Sequence, residues 1–233
     1  MKFPVFSTYQ QVGLLLVFSA FALFIPYLLL VSYFDYPNIL RKDTTQILIQ
    51  FHQGGTPLIF IWLAFAFTGF PLIPAYTIIG SLFEDKILFV RWVTKIGIIG
   101  LVVQMIGLLR WVFVVPVLSQ LYISGDEATK SASVVAFKVL HQYAGVLLGE
   151  HLGQFFTIVW MFMISVAFHK LKLMPKWVNI WGYITSLIYI LGQGELLATV
   201  IPSFPFWDFA GFLGSTLWLI WLIIVGIFFI KKN

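Results

Sequence analysis

Residues 13–33 read GLLLVFSAFALFIPYLLLVSY, a run with no charged side chain. A helix needs about 20 apolar residues to cross the hydrocarbon of a bilayer. This stretch meets that length, and its reading decides the fold. Ser19-Ala20-Phe21-Ala22 resembles a signal-peptidase site. The apolar run continues well past it, so the segment reads as a retained first span rather than a cleaved leader.

The rest of the chain repeats the pattern. Gly54–Phe83 is uncharged, with Pro71 and Pro74 placed to kink or end a helix. Ile96–Leu118 is broken by one charge, Arg110. Val134–Phe168 is too long for one simple span and reads as an interfacial helix to about Tyr143, then a fourth span. Trp177–Ile201 and Phe206–Ile230 complete six. Thr44–Gln53 reads as a short interfacial segment before the second span. Asp35–Asp43, Glu84–Lys95, Ser119–Ser133, residues 169–176 and Pro202–Pro205 read as loops. The expected fold is therefore an all-α polytopic membrane bundle. It forms one domain over residues 1–233, with short interfacial helices on the outer side.

Composition agrees. Of 233 residues, 61% are hydrophobic and 10% charged, against roughly 25% charged in soluble domains. Mean hydropathy is +0.98. The absence of cysteine excludes disulfides, thiolate metal sites and a cysteine nucleophile. The net charge of +5 is dispersed over short loops, which fits a membrane surface and gives no nucleic-acid patch.

Orientation follows from the basic residues. Six spans place Lys2, Lys86, Arg91, Lys95, Lys170, Lys172, Lys176, Lys231 and Lys232 on one side, and Arg41, Lys42, Lys130 and Lys138 on the other. Nine against four puts the first group, with both termini, in the cytoplasm of a cell-membrane protein. The intramembrane polar residues then gather toward the outer side. Arg110 lies near the outer end of the third span, Glu150, His151 and Gln154 in the outer half of the fourth, and Gln193 and Glu195 near the outer end of the fifth. His52 and His141 precede inward-running spans. The inner half reads as almost wholly apolar.

Intramembrane charges are costly and mark function or partnered packing. One arginine against two carboxylates leaves a negative charge, to be balanced by a proton or by His151. The expected roles are Glu150, His151 and Glu195 in acid–base chemistry. Arg110 would hold an anionic group, with Gln154, Gln193, His141, His52 and Trp111 completing a ligand site. For Trp111 the outer membrane boundary is the favoured reading over stacking on a ligand. The plainer reading of the charges is an ion pair that pins helices together. On an α-helical wheel Glu150 and Gln154 share a face away from Gly145, Gly149 and Gly153. That glycine stripe fits close helix packing, within the chain, in a homo-oligomer or against a partner subunit. Two glycines at 192 and 194 suggest a local unwinding that would let Gln193 and Glu195 both reach the site.

A metal on His52, His141, His151 and Glu150 would require the chain to bend near Tyr143–Gly145, because ten helical residues span about 15 Å. No recognisable metal or haem ligand spacing is present, and no cofactor is assigned. Nucleophile motifs, phosphate loops and dinucleotide fingerprints are absent. The function expected is binding of a small or amphiphilic ligand among membrane lipids, with or without chemistry on it. A proton-coupled transporter and a non-catalytic sensor or accessory subunit are the alternatives.

Trp160–Gly182, with Met174-Pro175-Lys176-Trp177 between two late helices, resembles a bacterial family of small six-helix membrane proteins known as a domain of unknown function. The resemblance implies the topology and no activity.

Overall fold

The first uncharged run forms a single helix, α1 (Thr8–Phe34), about 40 Å long at 1.5 Å per residue. It is the first element of a computed structural model that describes residues 6–232. Lys2, counted above among the cytoplasmic basic residues, lies outside the described residues.

A 3-10 turn (Asn38–Arg41) leads to α2 (Thr44–Phe67). Gly55 interrupts α2 with φ 55° and ψ −153°, a conformation open to glycine and barred to most side chains. The expected short segment before the second span is thus the first arm of a kinked helix. Pro71 ends the turn before α3 (Leu72–Phe83), as its position predicted. Then come α4 (Phe89–Phe113) and α5 (Val115–Ser124), with Pro116 in the first turn of α5. A proline there lacks the N–H that would continue the ladder of α4.

The expected loop at Ser119–Ser133 is corrected. It is helical except at Gly125 and Asp126, since α6 (Glu127–Leu140) starts immediately after. Ser124 and Ser133 turn their hydroxyls onto their own helices at 2.9 and 2.8 Å, so these polar residues interrupt nothing. Asp126 caps α6 by accepting from the Thr129 N–H, and the Thr129 hydrogen bonds hold its carboxyl below the usual range.

The expected bend near Tyr143–Gly145 is also corrected. Helix continues from α6 through a π-helical segment, His141–Leu152, into α7 (Gly153–Lys170). After α8 (Lys176–Leu191) the chain turns at Gly192 and resumes in α9 (Gln193–Ala198), then α10 (Ala210–Ile230). Among the described residues, five helical segments are long and apolar enough to cross a membrane: Thr8–Phe34, Thr44–Phe83, Phe89–Ser124, Glu127–Lys170 and Ala210–Ile230. The sixth expected span falls short of that length because Gly192 divides it.

The chain forms two compact units. One contains the residues up to Phe21, Gly69–Val102 and those from His151 on. Its α8 packs against α7 and α10. Close approach is built on glycine: a Cβ on Gly13 would lie 2.5 Å from the Gly226 carbonyl oxygen, and one on Gly214 would lie 2.5 Å from Tyr189 Cα. Tyr76 stacks on Trp160 with centroids 3.5 Å apart, and Phe83, Phe168 and Phe229 fill the other end.

The second unit contains Ala22–Thr68 and Val103–Glu150. Here α5 packs against α2 and α6. Its core is aromatic. Trp62 and Trp111 stack 4.7 Å apart, Phe34 meets Trp111 edge-on at 5.4 Å, and Phe51 lies alongside at 5.8 Å. Such pairs add about 0.5–1.5 kcal/mol each beyond their buried area.

Candidate functional site

The second unit holds the buried charges. Arg110, on the last turn of α4, is 7% exposed. Its guanidinium donates from Nη1 to the Gly107 carbonyl and lies over the Trp111 ring, 5.2 Å from the centroid. Room for it comes from the facing π segment, where a Cβ on Gly145 would lie 2.7 Å from Arg110 Nη2. Arg110 also sits in the fields of Glu150 and Tyr36, and His141 in that of Arg110. The His141 ring stacks on Phe137 at 5.4 Å and meets Trp111 edge-on at 6.2 Å. Two buried nitrogens in this group, Arg110 Nε and His141 Nδ1, have no hydrogen-bond partner among the described residues.

Tyr36 is the member that sequence pattern did not flag. It follows α1 in the short loop before the 3-10 turn, where a tyrosine near a span end reads as an interfacial anchor. Its ring packs edge-on against Trp62 at 5.3 Å and Tyr27 at 5.9 Å. Burial, and then the charge of Glu150, push its phenol above the ordinary range, so it stays a proton donor at neutral pH.

Trp111 is 1% exposed. Its ring belongs to the aromatic core beneath Arg110 rather than to an outer boundary. His52, half-buried on α2, makes no hydrogen bond among the described residues and is not part of this group.

The first unit holds a hydrogen-bonded polar chain. His151 Nδ1 lies 2.8 Å from Gln193 Oε1, and Gln193 Nε2 donates to Gln154 Oε1 at 3.1 Å. An amide oxygen only accepts, so His151 carries a proton on Nδ1, and in the neutral ring Nε2 then keeps a lone pair. Gln193 is 6% exposed. The expected unwinding at Gly192–Gly194 is only a turn: Gly192 keeps helical φ and ψ of −62° and −22°. Gln193 reaches His151, while Glu195 stays half-buried on the first turn of α9.

Arg110, Glu150, His141 and Tyr36 belong to one unit, and His151, Gln154 and Gln193 to the other. The register from Glu150 to Leu152 is π, so the α-helical wheel that placed Glu150 and Gln154 on one face does not apply there. The glycine stripe is engaged within the chain. Gly145 faces Arg110, Gly149 faces Gly107, and the Gly153 carbonyl accepts from the Thr157 hydroxyl at 3.0 Å.

Among the described residues, no three His, Asp or Glu side chains are grouped so as to hold a metal ion. The bend that a site on His141 and His151 needed is replaced by continuous helix. Thr94, Ser165 and Asn179 are also buried in the first unit. Ser165 satisfies its hydroxyl on the Met161 carbonyl at 2.8 Å, which makes its burial cheap. His169 is exposed, as expected of a loop-end histidine, with Nδ1 3.3 Å from the Tyr183 hydroxyl.

Long apolar helices with outward-facing Phe18, Ile25, Phe60, Ile106 and Leu187, together with buried charges, define a polytopic integral membrane protein. The chain belongs to the family described as a domain of unknown function, DUF4386, which matches residues 11–226. That match covers nearly the whole chain and agrees with the resemblance read from Trp160–Gly182. No curated protein and no solved structure matches it.

Proposed function

We propose that this protein binds the anionic headgroup of an amphiphilic membrane molecule at Arg110. In this reading α8 and α9 together make the sixth span, both termini are cytoplasmic, and the Arg110 group lies in the outer half. One observation carries the proposal. A buried arginine and a half-buried histidine in the same unit each keep a buried nitrogen without a partner among the described residues. Such orphans cost about 1–3 kcal/mol each and are retained where another group can meet them. Arginine stays charged at neutral pH, so the complementary group is an anion. Glu150 and the Tyr36 phenol would exchange or donate protons beside it, and Trp111 would fix the guanidinium from below.

The His151–Gln193–Gln154 chain supports a second role, acid–base chemistry at His151. Its free Nε2 is the atom that would take a proton. Glu195 belongs to this role by position on α9.

The test compares wild type with Arg110→Met, Glu150→Gln and the double variant. Retention of phosphatidylglycerol and phosphatidylcholine from nanodiscs is read by native mass spectrometry. The single variants lose stability, because each leaves one buried charge unpaired. The double variant refolds, and its preference for the anionic lipid disappears. A folded double variant that still prefers phosphatidylglycerol overturns the proposal and leaves the pair with a packing role.

A further inference from the structure

A second feature of the Ala22–Thr68 and Val103–Glu150 unit shares no residue with the Arg110 group. A groove of about 630 Å³ is walled by Tyr33 on α1 and by Gln46, Ile49, Gln50, Gln53 and Pro57 on α2. The α2 residues lie at helical spacing on one face and run past the kink at Gly55. The opposite face of the same helix buries Ile47, Leu48 and Phe51 in the aromatic core. The groove face is therefore fixed outward by its own helix.

Three primary amides in a row are an unusual lining for an apolar segment. Each offers two N–H donors and an acceptor. None of Gln46, Gln50 and Gln53 makes a side-chain hydrogen bond among the described residues. Lys42 is the one charged residue lining the groove, and its ammonium is already held by Asp35 at 2.6 Å. That bond, with a second from Asn38, keeps the Asp35 carboxyl below its ordinary range and so ionised at neutral pH. The lining thus has no spare charge for a phosphate or carboxylate. It offers both donors and acceptors, which is what the hydroxyls of a polyhydroxylated group pair with. Tyr33, Ile49 and Pro57 add an apolar wall, and Tyr33 stands near the end of the uncharged run of α1, a position that suits a tyrosine beside lipid headgroups.

We infer that this groove binds the uncharged polyhydroxylated headgroup of a membrane glycolipid, with the amides on its hydroxyls and the acyl chains along Ile49 and Pro57. The volume is within the usual range for a small-molecule site. The inference stands apart from the Arg110 proposal, which takes an anion at other residues.

The experiment uses the full chain purified in lauryldimethylamine oxide, a detergent without sugar. Diglucosyl-diacylglycerol, phosphatidylcholine and free maltose are titrated and read by native mass spectrometry. Wild type is expected to retain one glycolipid per chain, with at least about tenfold preference over phosphatidylcholine. The double variant Gln46→Leu/Gln50→Leu should lose that preference. Gln46→Ser/Gln50→Ser, which keeps polarity and shortens reach, should do the same and covers the case in which the leucine variant misfolds. The Arg110→Met/Glu150→Gln variant should bind the glycolipid as wild type does, which separates the two sites. Equal binding of both lipids by wild type, unchanged preference in both glutamine variants, or maltose binding as tight as the glycolipid would each overturn the inference.

Discussion

Gly107→Ala is the sharpest single test of how the Arg110 group is built. Gly107 is buried on α4, one turn before Arg110, and its carbonyl accepts from the guanidinium. A Cβ at this position would lie 2.5 Å from Gly149 Cα, 2.7 Å from the Ala144 carbonyl oxygen and 2.8 Å from Gly149 N. All three are backbone atoms, so no side-chain rotation relieves the clash. Ordinary contact begins near 3.4 Å, so α4 and the π segment must part by about 0.9 Å (3.4 − 2.5). Overpacking of this kind costs about 1–3 kcal/mol. The better helix propensity of alanine returns less than about 1 kcal/mol. A net loss of about 1–2 kcal/mol lowers the melting temperature of a chain of this size by roughly 3–6 °C. Near-ultraviolet circular dichroism on detergent-solubilised protein reads the transition. Gly211→Ala is the matched control, because a Cβ there meets nothing within 4 Å. It should melt within about 0.5 kcal/mol of wild type. The reasoning is refuted if Gly107→Ala melts as high as wild type and the control.

Gln193→Leu removes the acceptor that fixes the His151 ring. The variant should lose about 1 kcal/mol, and its imidazole ¹⁵N spectrum should change from one Nδ1-protonated neutral form to a mixture of tautomers. A wild-type ring protonated on Nε2 would sink the assignment. Topology is testable because the chain has no cysteine of its own. Ser131→Cys and Lys172→Cys place single thiols at exposed positions of α6 and of the turn before α8. An impermeant maleimide should label Ser131→Cys in intact cells and Lys172→Cys only after lysis. The reverse pattern contradicts cytoplasmic termini.

The membrane class was legible because apolar length is read directly from composition, and α1 and α10 lie close to where uncharged runs put them. Helix-breaking residues gave mixed guidance. Pro71 marks a real interruption, whereas the polar run Ser119–Ser133 does not, since serines bonded back to their own helix and an aspartate cap keep it helical. The buried-charge residues were legible as types. Arg110, Glu150 and His151 stand out against the apolar runs around them. Tyr36 was hidden among interfacial aromatics, and Trp111 was hidden by the neighbouring charge that suggested a role for it at a surface.

The π segment gives the physical reason that His141 and Glu150 both reach Arg110. In an α-helix His141 and Glu150, nine residues apart, are separated by 2.5 turns and face opposite ways. In a π-helix, with i→i+5 bonds, residues four to five apart share a face, so nine residues make about two turns. His141, Gly145 and Glu150 then fall on one side, and it is the side that meets α4: Arg110 has Gly145 against its guanidinium and interacts electrostatically with both Glu150 and His141. A stretch of 12 π residues is long for a form that usually occupies a single turn and often marks functional sites. The small side chains at 144, 145 and 149 are what let α4 come close enough to use this wider turn. A wheel drawn at 3.6 residues per turn separates His141 from Glu150, and the π register is what returns them to one side.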